Sequence, residues 1–319
     1  MGVRMKISFL ALLLTLPAEA QEADARKPIF VAVGYGGRRA SSVDGVHWEG
    51  DQELAPNGGD DWNLLCDVAY GKGTFVAVGG GDNVAPYWVT KDGKTWKEIR
   101  PGWKGRIGHI AFGNGRFVAG GGTLTISEDG ETWRKGAKIP YEGGLHLRHI
   151  VFGNGIFVGA GDCFQKESGW YRVVTPDGEK VDFFEAGKAP VRGIAFGAGR
   201  FVAVHGDGSI ESSTNGKTWE RSESEPDKGN YSILWTGRQF VVSGGKTAFT
   251  SQDGVSWTKS SFRIPCSPLA AGGGGFVGGS WKNGLWTSTD AVTWKQSSLA
   301  DKGNSFCAAA WGLPDPGGK

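Results

Sequence analysis

One short pattern recurs along this chain and limits what it can fold into. It reads S/T-x-D-G-x-T-W, and its seven copies are SVDGVHW (Ser42–Trp48), TKDGKTW (Thr90–Trp96), SEDGETW (Ser127–Trp133), TPDGEKV (Thr175–Val181), STNGKTW (Ser213–Trp219), SQDGVSW (Ser251–Trp257) and STDAVTW (Ser288–Trp294). Their closing residues are spaced 48, 37, 48, 38, 38 and 37 apart. An apolar Phe-Val run precedes each copy, beginning at Phe30, Phe75, Phe117, Phe157, Phe201, Phe240 and Phe276. Ahead of that run stands a short segment ending in Gly, such as Ile110-Ala111-Phe112-Gly113. Asp-Gly supplies the positive φ of a tight hairpin. The Asp carboxylate and the Ser or Thr hydroxyl can accept the N–H groups of the turn. Glycine makes up 55 of the 319 residues, far above ordinary usage, which disfavours helices.

A unit of this kind makes four short antiparallel strands. Runs such as Phe-Val-Ala-Val are apolar on both faces, so each sheet packs between two others. One unit cannot bury both faces alone, and units must stack. The Gly-terminated segment is missing before Phe30 and stands instead at the end, as Phe306-Cys307-Ala308-Ala309-Ala310-Trp311-Gly312. The last strand therefore completes the first unit and leaves no open edge. The expectation is an all-β, seven-bladed β-propeller of four-stranded blades over residues 29–313, with a tail at 314–319.

These hairpins resemble Asp boxes, also called BNR repeats. Such repeats mark a β-propeller superfamily that includes sialidases, sortilin-type receptors, two-propeller xyloglucanases and photosystem II assembly factors. The resemblance implies the fold and leaves function open. TPDGEKV lacks the Trp, STDAVTW has Ala291 where Gly is usual, and STNGKTW has Asn215 for Asp. Asp44, Asp92, Asp129, Asp177, Asn215, Asp253 and Asp290 are read as turn-stabilising residues, not ligands for calcium.

The N-terminus reads as a signal peptide over residues 1–20. Arg4 and Lys6 precede an apolar run from Ile7 to Leu16, and Ala18-Glu19-Ala20 gives a cleavage site after Ala20. Residues 21–28 form a linker. The expectation is a secreted or periplasmic monomer without a transmembrane segment, since the apolar run is too short to span a bilayer. The formal charge of +2 falls to 33 − 32 = +1 once Arg4, Lys6 and Glu19 are removed. That balance gives no case for nucleic acid. No C-x-x-C pair is present, so a zinc ribbon is not expected. Exported cysteines can pair, and Cys307 is a candidate disulfide partner for Cys66 or Cys266, leaving Cys163 unpaired.

Strand alternation puts the Asp-Gly turns on one face and the loops leading into the inner strands on the other. Ligands of propellers bind at the channel mouth on that second face, here called the top. Aligned on the closing Gly, the inner strands place Asp67, His109, Arg148, His149 and Arg192 at the mouth, and His205 ends a neighbouring strand. Two arginines could clamp a carboxylate or phosphate. The histidines could serve as acid and base or, with Asp67, hold a metal. The competing reading is a hydrated channel lining. Phe262-Arg263-Ile264-Pro265 is similar to the FRIP motif of sialidases, whose Arg binds the substrate carboxylate, although it stands between the sixth and seventh boxes. Trp62, Trp103, Trp170 and Trp281 fall in top-face loops where sugar rings could stack. Asn57, Asp60 and Asp61 offer a weak calcium site. The reading is an exported, non-catalytic binding or assembly propeller whose top face contacts a glycan, anion or protein. The alternative is a carbohydrate-active enzyme, either a sialidase-like glycosidase or a polysaccharide lyase.

Overall fold

A computed structural model describes residues 27–54, 63–80, 86–103, 105–139, 145–163, 171–185, 189–223, 231–244, 247–281, 284–299 and 303–315. The segment read as a signal peptide, most of the expected linker, Trp62, Trp170 and the Asn57/Asp60/Asp61 group lie outside these residues, as does the side chain of Cys163. Among the described residues the strands form seven four-stranded antiparallel sheets. From the axis outward, blade one is Phe306–Gly312, Ile29–Gly34, Arg39–Ser42 and Glu49–Gln52. Blade two is Leu65–Gly71, Thr74–Gly79, Tyr87–Thr90 and Lys97–Ile99. Blade three is His109–Gly113, Arg116–Gly120, Thr123–Ser127 and Arg134–Lys138. Blade four is Leu145–Gly153, Ile156–Cys163, Tyr171–Thr175 and Asp182–Glu185. Blade five is Val191–Gly197, Arg200–His205, Ile210–Ser213 and Glu220–Arg221. Blade six is Ser232–Trp235, Phe240–Ser243, Phe249–Ser251 and Thr258–Lys259. Blade seven is Ser267–Gly272, Gly275–Gly279, Leu285–Ser288 and Lys295–Gln296. Each inner strand packs on its neighbours, and Ser267–Gly272 packs on Phe306–Gly312, which closes the ring.

The closing strand pairs with Ile29–Gly34, with Ile29 opposite Gly312 and Val33 opposite Ala308. A second tie lies beside it. Arg38 is 1 % exposed and donates from Nε and Nη2 to the two carboxylate oxygens of Asp51, each at 2.8 Å. Its Nη1 donates to the Asn304 carbonyl at 2.5 Å, and its guanidinium lies 4.4 Å from the centre of the Phe306 ring. Glu53 in turn accepts the Asn304 backbone N–H at 2.8 Å. Nothing in the repeat pattern singles out Arg38, because the residue belongs to the closure and not to the repeat.

Blades join through a repeated contact at the inner strand. A Cβ placed on Gly71 would lie 2.2 Å from the Phe112 ring of the next blade, and one on Gly113 would lie 2.0 Å from Phe152. Gly153, Gly197, Gly272 and Gly312 stand in the same relation to Phe196, Trp235, Trp311 and Tyr70. This close approach explains why the segment ends in Gly. Gly113→Ala is expected to cost about 1–3 kcal/mol by overpacking, read as a lower urea midpoint with an unchanged slope. In blade six the closing residue is Thr236, and the next blade offers the small Ala271 where an aromatic stands elsewhere.

At the other end of the strands, the turns satisfy themselves. Asp129 Oδ1 accepts the N–H groups of Glu131 and Thr132 at 2.8 and 2.7 Å, while Ser127 Oγ accepts that of Gly130 at 2.8 Å. Asn215 accepts the equivalent pair, both at 2.9 Å. Ala291 keeps the turn by adopting φ 60°, and Trp294 still donates its indole N–H to the Ala291 carbonyl at 3.2 Å. The N–H groups of Val255 and Ser256 hold the Asp253 carboxyl down at about 2. Around the outer rim, opposite charges join successive blades: Glu49 with Lys94 at 2.6 Å, Lys97 with Glu131 at 2.5 Å, Arg134 with Glu179, and Asp182 with Lys217 at 2.6 Å.

Candidate functional site

The inner strands enclose a cavity of about 640 Å³ along the axis. Its lining includes Asp67, His109, His149 and Arg192, together with Cys66, Cys307, Tyr231 and Ser232. Local backbone irregularity places several of them. Ladder register slips between Leu65 and Asp67, between Leu147 and His149, and between Val191 and Gly193. The same slip in blade one falls between Phe306 and Ala308. Cys66, Arg148, Arg192 and Cys307 are therefore the extra residues of β-bulges at one level of four inner strands. A bulge bends its strand and re-aims the side chain it carries.

Asp67 links blades two and three. Its Oδ1 accepts the Val68 N–H at 2.8 Å, its Oδ2 accepts the Ile110 N–H at 3.1 Å, and Oδ2 lies 3.5 Å from His109 Nδ1. The His109 and His149 rings face each other with centroids 5.3 Å apart at 42°. Loss of hydration lowers the His149 pKa most, and repulsion from His109 and Arg148 adds to it, bringing it from 6.5 to about 3. Arg106 donates to Cys66 Sγ at 3.1 Å. Burial pushes the Cys66 thiol up, and Arg106 opposes that rise. Arg192 thus lines the cavity beside two imidazoles, while Arg148 and Arg106 do not line it and act on His149 and Cys66 through their charge. Asp67, on the same wall, is engaged by two backbone N–H groups.

Other expected residues fall elsewhere. His205 is 1 % exposed and sits within blade five, its Nδ1 3.2 Å from the Ala189 carbonyl and its Nε2 3.5 Å from Glu211. It is absent from the cavity wall, because the strand end that carries it is the second in its blade, one step off the axis. Arg263 is exposed on the connection from blade six to blade seven and does not line the cavity, while its neighbours Phe262 and Ile264 pack into the core. The FRIP tetrapeptide here is a packed corner. Trp103 packs on the core between blades two and three, with Lys135 5.9 Å from its ring. Trp281, the other of the two described, keeps the expected exposure, at 64 %, with its ring edge-on to Tyr35 at 5.3 Å. Cys66, Cys266 and Cys307 are not bridged. Cys266 points into the core of blade seven against Trp294, whereas Cys66 and Cys307 turn toward the channel. Its burial pushes the Cys266 thiol up to about 12. Sequence reasoning missed Arg106 and Tyr231, which lie in connections outside the aligned strands. Among the described residues no group of three or more His, Cys, Asp and Glu is placed to hold a metal, and no helix is long and apolar enough to cross a membrane.

Blade topology and an axial cavity define a β-propeller. Solved structures agree. YCF48 bound to D1 peptide matches with a TM-score of 0.53 and 19 % identity, over 72 % of this chain and 77 % of that one. A putative 6-phosphogluconolactonase from Bacteroides fragilis NCTC 9343 matches with a TM-score of 0.65 and 10 % identity, over 91 % and 99 %. Streptogramin B lyase matches with 0.59 and 12 %, over 76 % and 85 %. At these identities the likeness concerns the fold. No protein-family model matches the chain, and no curated protein matches it in sequence.

Proposed function

We infer that this chain is a binding propeller of the Asp-box type that holds an acidic ligand at the top of its channel. The supporting observation is the charge around the cavity: Arg192 on its wall, with the charges of Arg106 and Arg148 reaching Cys66 and His149, and, among the described lining residues, one carboxylate, Asp67, that accepts two backbone N–H groups. A cavity of about 640 Å³ suits a small ligand or one terminal group of a larger one. Guanidinium groups match a carboxylate in shape as well as charge. The ligand class is a carboxylate-bearing sugar, and the signal peptide read from residues 1–20 favours an encounter outside the cytoplasm. The double variant R148A/R192A is expected to weaken binding of an acidic oligosaccharide by at least a hundredfold in calorimetry, since each charged hydrogen bond contributes about 1.5–3 kcal/mol. Unchanged affinity would reject the assignment.

One observation favours a second reading, a lyase. His149 is held unprotonated beside cationic groups and shares the cavity with Tyr231. A base next to an arginine that neutralises a uronate carboxylate is what proton abstraction beside that carboxylate requires. Ultraviolet absorbance of an unsaturated product, formed from acidic oligosaccharide by wild type and not by H149N, would favour this reading over simple binding.

A further inference from the structure

Among the described residues, His109, Arg148 and Arg192 bring charge to bear on His149, and the Arg192 backbone hydrogen-bonds with its ring. His109 faces it from blade three at 5.3 Å between ring centroids. Arg192 approaches from blade five, and Arg148 is its neighbour in its own bulged strand. Beyond His109 stands Asp67, 3.5 Å from Nδ1 and shared with the N–H groups of Ile110 and Val68. Cys66 lies on the same wall under Arg106. The cavity therefore sets two imidazoles among guanidinium charges, and among the described residues the carboxylate on its wall, Asp67, reaches His109 and not His149.

An anion lodged beside Arg192 and the ring pair, within reach of the Arg148 charge, changes this balance, because it brings to His149 the negative charge that the walls withhold. We propose that the channel mouth captures its acidic ligand together with a proton on the His109–His149 pair, an inference that rests on the anion-binding reading above. Occupancy raises the proton affinity of the pair, and by reciprocity protonation raises affinity for the anion. The sign is fixed by the direction of the shift. The bound state holds the proton at a higher pH than the free state. Affinity therefore increases as pH falls through the bound-state pKa, at most tenfold per pH unit for one proton. The guanidinium charges provide the part of the affinity that is independent of pH. Such a site fills in an acidified compartment and empties as pH rises.

The test uses the full chain and sulfate as the probe, since sulfate is a doubly charged anion throughout the range tested. Titration calorimetry is run at constant ionic strength in buffers of different ionisation heat. Affinity is expected to rise by up to about tenfold per unit as pH falls from about 5 to about 4, with net uptake of up to one proton. The double variant H109N/H149N, checked for folding by circular dichroism, is expected to lose both the slope and the uptake. Sulfate binding without slope or uptake in the wild type would overturn proton coupling and leave the anion site standing. A slope retained in H109N/H149N would overturn the assignment to this pair. No sulfate binding at any pH would overturn the anion site and with it the coupling.

Discussion

Replacing Arg38 with alanine is expected to lower the unfolding free energy by about 3 kcal/mol, the low end for breaking a buried ion pair. The guanidinium is 1 % exposed and its partner Asp51 is 32 % exposed, so water reaches the carboxylate and softens the loss. Four interactions vanish together: the bidentate pair with Asp51, the ion pair with Glu53 at 3.5 Å, the bond to the Asn304 carbonyl and the stacking on Phe306. All bear on the segment that delivers the last strand to blade one. R38K should recover less than half of the loss, because an ammonium cannot form the fork. Urea denaturation measures this, and a double-mutant cycle with D51A isolates the pair. If D51A costs as much in the R38A background as in the wild type, the proposed coupling is absent.

The second large effect is on acid stability. The His149 pKa is depressed from 6.5 to about 3 in the folded protein. Below pH 6.5 the unfolded chain binds a proton that the folded chain refuses. Stability is thus lost as pH falls from 6.5 toward 3, at up to about 1.4 kcal/mol per pH unit, a few kcal/mol in all. The turn carboxylates act in a separate window. The N–H group of Thr293 leads in holding Asp290 at about 2, so this group contributes stability above its ordinary 3.8 that is lost only as pH falls toward 2. H149N should flatten the slope of urea midpoint against pH between about 6.5 and 4 and leave the steeper fall below it. Identical slopes in wild type and H149N, in buffer free of polyvalent anions, would show that His149 carries no such burden.

Much of the architecture was legible because a repeat multiplies a weak local signal. Seven hairpin patterns agree on strand order, and the displaced segment Phe306–Gly312 gives the pairing with Ile29–Gly34. The level of the mouth was also readable, since aligning inner strands on their closing Gly brings Asp67, His109, His149 and Arg192 to one wall. Alignment could not show depth. His205 occupies a strand end at the right height but one strand from the axis, so it is buried within its blade. Arg263 lies in a connection whose path no periodicity sets. The cysteine pairing failed for a related reason. Cys266 immediately precedes an inner strand, yet its side chain turns into the core, while the bulge that turns Cys66 and Cys307 inward leaves no mark in the pattern. Arg38 and Arg106 matter through partners distant along the chain, and nothing local announces them.

The contact between closing glycines and aromatic rings works as a lock and key passed from blade to blade. Six junctions share one pair of shapes, a flat socket and a ring that fills it. The junction between Thr236 and Ala271 uses a different pair, with bulk moved to the other side. Blades two, three and four are therefore interchangeable at their inner strands, whereas blades six and seven fit only each other in that order. A ring grown by copying one blade should accept a duplicate of blade three more readily than a duplicate of blade six, which would set Trp235 against Thr236 and leave a ring with no socket.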